Sequence, residues 1–532
     1  MSEEAVTTDY EIGQDNITPF GLDIHNPVFL ISGLSIIAFV LISLMFQQGA
    51  AEFFSWLRPA ITSTFDWFFL SAGNIFVVFA LAVCVSPLGR VRLGGQDATP
   101  DYSYVGWFSM LFAAGMGIGL MFFGVSEPMS HFGSSMGGIS VGENGIRTDW
   151  APLGAAAGDI EAARDLAMAA TIYHWGLHPW AMYAVVALAL AFFSFNHNLP
   201  LTLRSAFYPL LGERVWGWAG HIIDTIAVFA TLFGLATSLG FGTQQALAGF
   251  SFLYDWGTGN VAIVLLILFI TAIAIGSVVR GLDGGVKLLS ELNMALALLL
   301  LAFIFLVGPT GDILSTLFSG AGAYIVEFIP LSMPFGREDA NFSQGWTSFY
   351  WAWWISWSPF VGMFIARVSR GRSVREFLIC VILVPTILCI LWMATFGGTA
   401  LTQVIADAAA PVGSVAQEIK LFHMLDGFPL TGLLSLIGII LVLVFFVTSS
   451  DSGSLVIDTI TAGGKTDAPV SQRVFWCSFE GLVAAVLLLV GGAEALGALQ
   501  AMAVSTGLPF TVVLLAMCVS LWIGLSKASK EI

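Results

Sequence analysis

The sequence predicts an all-α polytopic membrane protein with twelve transmembrane helices. Three observations carry that expectation. Of 532 residues, 57% are hydrophobic and 10% charged, with a mean hydropathy of +0.88, whereas soluble domains carry about 25% charged residues. Apolar runs of roughly 20 residues, long enough to cross a bilayer, recur along the chain. The basic residues alternate in density between successive connections.

The expected spans are 26–47, 67–87, 105–127, 170–196, 221–250, 259–280, 287–308, 343–367, 374–397, 429–456, 472–491 and 496–524. Residues 1–25 form an acidic tail (Glu3, Glu4, Asp9, Glu11, Asp15, Asp23) without the basic start and short apolar core of a cleaved signal. The loop 128–169 is acidic, with Glu143, Asp149, Asp159, Glu161 and Asp165, and 309–342 is expected as an external, partly amphipathic connection. With the N-terminus inside, fourteen of the nineteen Lys and Arg residues fall in cytoplasmic segments. Arg58, Arg147, Arg164, Arg337 and Lys420 fall outside. This positive-inside bias places both termini, including the short tail 525–532, in the cytoplasm.

A net charge of −16 and a pI near 4.7 argue against a nucleic-acid partner. The five cysteines lie in or beside apolar segments without metal-ligand spacing and read as free thiols. No metal-ligand cluster or nucleophile–base pair stands out, so an enzyme is not expected, nor catalytic residues or a cofactor.

Five stretches carry chemistry. In the third span, Ala113-Ala114-Gly115-Met116-Gly117-Ile118-Gly119 sets three glycines at alternate positions, each costing a helix roughly 1 kcal/mol. Alternate spacing does not put them on one packing face. The stretch reads either as a broken helix with backbone groups facing a cavity or as close helix packing. In the fourth span, Tyr173-His174-Trp175-Gly176-Leu177-His178-Pro179-Trp180-Ala181-Met182-Tyr183 offers three cage-forming rings, Trp175, Trp180 and Tyr183. The outer-end position of Trp175 equally suits an interfacial belt, and the two histidines read as proton carriers or as ordinary polar residues near an interface.

In the eighth span, Phe349-Tyr350-Trp351-Ala352-Trp353-Trp354-Ile355-Ser356-Trp357-Ser358-Pro359-Phe360 holds four tryptophans within seven residues. On a helix, most of Trp353, Trp354, Trp357, Phe360 and Phe364 share a face. Facing indoles hold a cation that cannot donate hydrogen bonds; otherwise such a stripe is packing. In the tenth span, Phe445 to Ser454 interrupts an apolar run with Thr448, Ser449, Ser450, Asp451, Ser452 and Ser454, either oxygen ligands for a hard cation or a helix end bonding back to its own backbone. In the fifth span, Thr231 and Ser238 lie seven apart on one face. Finally, Arg367-Val368-Ser369-Arg370-Gly371-Arg372-Ser373-Val374-Arg375 reads as a positive-inside clamp, with lipid contact or an inner gate as the alternatives.

Together, the glycine stretch at 115–119, the HWG…PW…Y pattern at 174–183, the run at 349–364 and RVSRGRSVREF at 367–377 resemble the betaine/carnitine/choline transporter family, in order and at its spacing. The resemblance implies a LeuT-like fold of two inverted five-helix repeats, at 105–308 and 343–524, preceded by two extra helices at 26–104. It implies a homotrimer in the bacterial inner membrane, alternating access, and substrates bearing a quaternary ammonium or sulfonium group. The implied substrate cage is Trp175, Trp180, Tyr183 and Trp354, with Met116 and Gly119 beside it. Phe122, Trp353, Trp357, Phe360 and Phe364 are the implied pathway or gate.

Gly119 stands where proton-linked choline carriers resemble one another in having an aspartate. That favours a zwitterion such as glycine betaine or dimethylsulfoniopropionate. Ala113, Met116, Phe445, Thr448 and Ser449 match a sodium site. Thr231 matches one of two threonines of a second sodium site; Leu235 replaces the other, with Ser238 nearby. The expectation is therefore sodium-coupled symport of a methylated zwitterion, with a proton-linked choline/carnitine carrier or a precursor/product exchanger as the alternative.

Overall fold

The computed structural model describes residues 8–115, 117–154, 156–280 and 287–532. Met116, expected at both the substrate and the sodium site, lies outside them. Among the described residues, fifteen helices of twelve or more residues follow one another, joined by turns and shorter helical segments. They are α1 (Val28–Met45), α2 (Gln47–Val85), α3 (Tyr104–Gly115), α4 (Ile118–Gly137), α5 (Ile160–Trp175), α6 (Leu177–His197), α7 (Trp218–Tyr254) and α8 (Asn260–Arg280). There follow α9 (Lys287–Val307), α10 (Thr310–Ser332), α11 (Ser348–Val368), α12 (Val374–Ala406), α13 (Thr431–Thr461), α14 (Val470–Gly491) and α15 (Ala495–Ala528). A two-stranded antiparallel ribbon before α1 pairs Asn16 with His25 and Ile17 with Ile24.

Each expected span falls on a helix, or on a broken pair of helices in two cases. Among the described residues, ten segments are long and apolar enough to cross a membrane, or eleven if one bent pair counts as a span. That tally joins α14 to α15, omits α11, whose Ser and Trp residues lower its hydropathy, and includes α10. The connection 309–342 is thus largely one helix. It is amphipathic, burying Ile313, Thr316, Gly320 and Tyr324 along one stripe against α5 and α12.

The two breaks position the site. Helix α3 stops at Gly115 and α4 restarts at Ile118 with a 64° bend, Gly117 being fully extended between them (φ −165°, ψ −178°). The glycine stretch is a broken helix. Between α5 and α6, Gly176 interrupts the helix (φ −100°, ψ −128°), and a side chain there would meet the Ile172 carbonyl oxygen at 2.7 Å. Helix α11 runs through the centre, against α6, α7 and α15, and nearly all of its residues are buried. A π-helical turn, Ser343–Thr347, leads into it and is held by Arg58, whose guanidinium donates to the Gly345 carbonyl at 2.6 Å.

The arginine-rich turn between α11 and α12 is pinned to protein. Backbone bonds join Leu93 to Gly371 and Arg372, and Val91 to Val374. Arg372 is 3% exposed and lies over the rings of Tyr104 and Trp107, 4.4 and 4.6 Å from their centroids. Only Arg370 of this group is substantially open to solvent or lipid headgroups, in a loose pair with Asp101. In the acidic loop, Arg147 pairs with Asp149 at 2.6 Å and holds its carboxyl down at about 2.

Candidate functional site: an aromatic cage beside a broken helix

The break in α3–α4 and the tryptophan face of α11 enclose a cavity of about 40 Å³, lined by Gly117, Gly119, Trp175, Tyr183, Ser238, Trp353, Trp354 and Trp357, among others. On the scale where one water needs about 10–15 Å³, this admits a group of roughly three heavy atoms. Trp354 meets Trp175 at 5.2 Å and Tyr183 at 5.1 Å between centroids, edge to face in both cases. Trp353 stands perpendicular to Trp175 at 6.3 Å. Edge-to-face rings of this kind present both faces and edges to one space.

Each indole is fixed by its N–H. Trp354 donates to the His174 carbonyl at 3.0 Å, Trp353 to the Ser238 hydroxyl at 3.1 Å, and Trp357 to the Gly234 carbonyl at 2.9 Å. Gly119 faces the rings directly. A Cβ there would lie 2.7 Å from Cη2 of Trp175 and 2.8 Å from Cη2 of Trp353. The glycine is therefore required for the two indoles to converge, in addition to bringing no charge of its own.

A second, larger cavity of about 140 Å³ adjoins the first through Ala114 and Trp357. Ala113, Phe360, Phe364, Phe445, Thr448 and Ser449 line it, together with Ser290 and Asn293 of α9. The four described residues expected at the first sodium site thus share one cavity wall. The Thr448 hydroxyl donates to its own helix, to the Val444 carbonyl at 2.9 Å. Phe360 packs edge-on to Trp357 at 5.3 Å, and Phe364 is 37% exposed at the mouth.

Several expected residues lie elsewhere. Trp180 is fully buried and packs edge-on against Tyr183 at 5.4 Å, behind the cavity wall. Phe122, expected on the pathway or gate, stacks on Phe241 at 5.0 Å and lines neither cavity. Trp353, expected on the path, is a wall of the cage itself. Trp175 is 2% exposed, so it is not an interfacial belt residue. Thr231 bonds the Ala227 carbonyl at 2.7 Å and lines neither cavity, while Ser238 serves Trp353. The two expected ligands of a second sodium site therefore do not meet at one cavity. His178 bonds Asn74 at 3.0 Å and stacks on Trp351.

Two contributors escaped the sequence reading. Asn293 is 2% exposed, lines the larger cavity, and has no hydrogen-bond partner for either amide atom. Glu127 is fully buried and accepts the Trp175 N–H at 2.7 Å. Its signal was an acid four residues before His131, at the outer end of an expected span.

Comparison with known proteins shows the family. A model of the betaine/carnitine/choline transporter family matches residues 27–530. A glycine betaine/proline/choline transporter of Vibrio parahaemolyticus is 64% identical over 98% of this chain and 94% of its own length. Glycine betaine transporter 1 of the same organism is 55% identical over 98% of this chain and 97% of its own. The glycine betaine transporter of Acinetobacter baylyi is 41% identical over 95% of this chain and 73% of its own. The chain belongs to the betaine/carnitine/choline family of membrane transporters and is not an enzyme.

Proposed function

We propose that the protein imports a small methylated zwitterion, glycine betaine foremost and dimethylsulfoniopropionate by the same chemistry, coupled to sodium. The observation that carries this reading is the convergence of Trp175, Tyr183, Trp353 and Trp354 on one small cavity whose opposite wall is the side-chain-free Gly119. An onium head has no hydrogen-bond donors, so ring faces are its natural partners. Each desolvated cation–π contact is worth about 2 kcal/mol, which offsets the cost of stripping water from the head. The substrate carboxylate turns to backbone amides exposed at the α3–α4 break. Three relatives whose names include glycine betaine support the substrate class.

Sodium, as co-substrate, takes oxygens of the Ala113 and Phe445 backbone and the Thr448 and Ser449 hydroxyls. Because Ala113 precedes the break that forms the cage floor, an ion there stiffens the segment that also holds substrate. The two ligands then raise each other's affinity reciprocally. The protein is further proposed to work as an osmoprotectant carrier, as a homotrimer in the bacterial inner membrane, with both termini cytoplasmic and 105–308 and 343–524 rocking as inverted repeats. Labelled betaine uptake into proteoliposomes tests the coupling. An inward Na⁺ gradient should drive accumulation that an equal K⁺ gradient does not. Equal uptake in both refutes sodium coupling and favours a proton-linked carrier or an exchanger.

A further inference from the structure

Behind Trp175 lies a carboxylate that the cage as described does not use. Glu127, on α4, is 0% exposed. One of its oxygens accepts the Trp175 indole N–H at 2.7 Å and the Tyr350 hydroxyl at 2.6 Å. The other lies 2.6 Å from His174 Nδ1 and 3.2 Å from His131 Nε2. An ionised carboxylate offers about four lone-pair sites, and four donors fill them. The proton positions agree. With its proton on Nδ1, His174 donates to Glu127 and can accept the Thr347 hydroxyl at Nε2, 2.9 Å away. His131 Nδ1 has no partner, and its Nε2 is the ring nitrogen that faces the carboxylate.

Both oxygens therefore act as acceptors, and Glu127 carries its full negative charge. Its only ion-pair neighbours among the described residues are these two histidines. A buried carboxylate is costly, and within a membrane bundle such a group marks function. The nitrogen and oxygen atoms of Glu127, His131 and His174 lie within 4.8 Å of one another. A shared metal is nevertheless a poor fit, because the Glu127 oxygen lone pairs already accept hydrogen bonds and the histidine nitrogens facing them serve as donors.

We propose that Glu127 is the fixed countercharge of the cage. It positions Trp175 through the indole N–H and supplies, from one ring away, the negative potential that makes the cavity prefer an onium head to a neutral group of the same shape. Accepting the N–H also pushes electron density into the indole face that meets the cation. This assignment rests on reading the cavity as an onium cage. It gives the chain a buried anion at the cage although position 119 is glycine.

The test is competition binding to the purified full-length transporter with glycine betaine and with 3,3-dimethylbutanoate, its carbon isostere lacking the positive charge. Wild type should bind betaine far more tightly than the isostere; equal binding would end the cage reading itself. In Glu127→Gln the betaine-to-isostere preference should fall about tenfold, the scale of one Coulomb interaction across a ring in a partly screened site. A Glu127→Gln protein in which both ligands weaken by the same factor overturns the countercharge, leaving only a structural role. Glu127→Asp keeps the charge, so both affinities should drop with the preference retained. Loss of the preference in that variant equally overturns the proposal, and this arm decides the matter if the Gln variant does not assemble.

Discussion

On one side of Trp175 and Trp354, Glu127, His131, His174, Thr347 and Tyr350 are all fully buried and joined in one hydrogen-bonded set. On the other, Ala113, Asn293, Thr448, Ser449 and Phe364 line an open cavity of about 140 Å³, and the Asn293 amide meets no protein partner. The first side is preorganised, with its polar groups aimed at the rings. The second leaves oxygens and an amide directed at space, where an arriving ion or substrate completes their bonding. The contrast teaches that polar groups are satisfied by protein on the α4–α5 side and are left facing a cavity on the α9–α13 side.

Breaking that contrast is the way to check it. The largest effect should come from packing. Trp351 sits three residues from Trp354, but is fully buried between Tyr173, His178 and Gly73. Trp351→Ala should cost about 3–5 kcal/mol of stability, read as a lowered melting temperature, while betaine affinity of the folded protein holds. Trp354→Ala should do the opposite. Losing about 2 kcal/mol of cation–π contact corresponds to roughly thirtyfold weaker betaine binding in a direct titration, with little change in melting. Gly119→Ala forces the Trp175 and Trp353 rings apart; overpacking of about 1–3 kcal/mol should weaken binding by at least roughly fivefold in the same titration. On the open side, Ser449→Ala should raise the sodium concentration for half-maximal uptake about fivefold or more while leaving the maximal rate at saturating sodium. Smallest of all, Phe364→Ala at the exposed mouth should change uptake by no more than about twofold, in line with surface substitutions.

Much of this was legible in the chain. The spans followed from apolar length, and the aromatic stretches that supply Trp175, Tyr183 and Trp354 stood out in their local patterns. What stayed hidden depended on relationships between elements. Glu127 fell on the last residue of an expected span, and its four partners come from α4, α5 and α11. Trp353 lines the small cavity and Trp180 packs behind Tyr183, a depth that spacing along a helix does not give. The partner of Phe122, Phe241, lies on α7 and is equally invisible to local spacing. Helix α10 was underestimated because Asp312, Glu327 and several Gly, Ser and Thr residues interrupt an otherwise apolar helix. Met116 lies outside the described residues.

The central claim is that these rings hold an onium head. Thermal stabilisation of the purified transporter across a panel of glycine betaine, dimethylsulfoniopropionate, carnitine, choline and proline, each in Na⁺ and in K⁺, tests it most directly. The account predicts that methylated onium zwitterions raise the melting temperature, and do so more in Na⁺ than in K⁺. A panel in which no onium compound shifts the transition in either salt would contradict it.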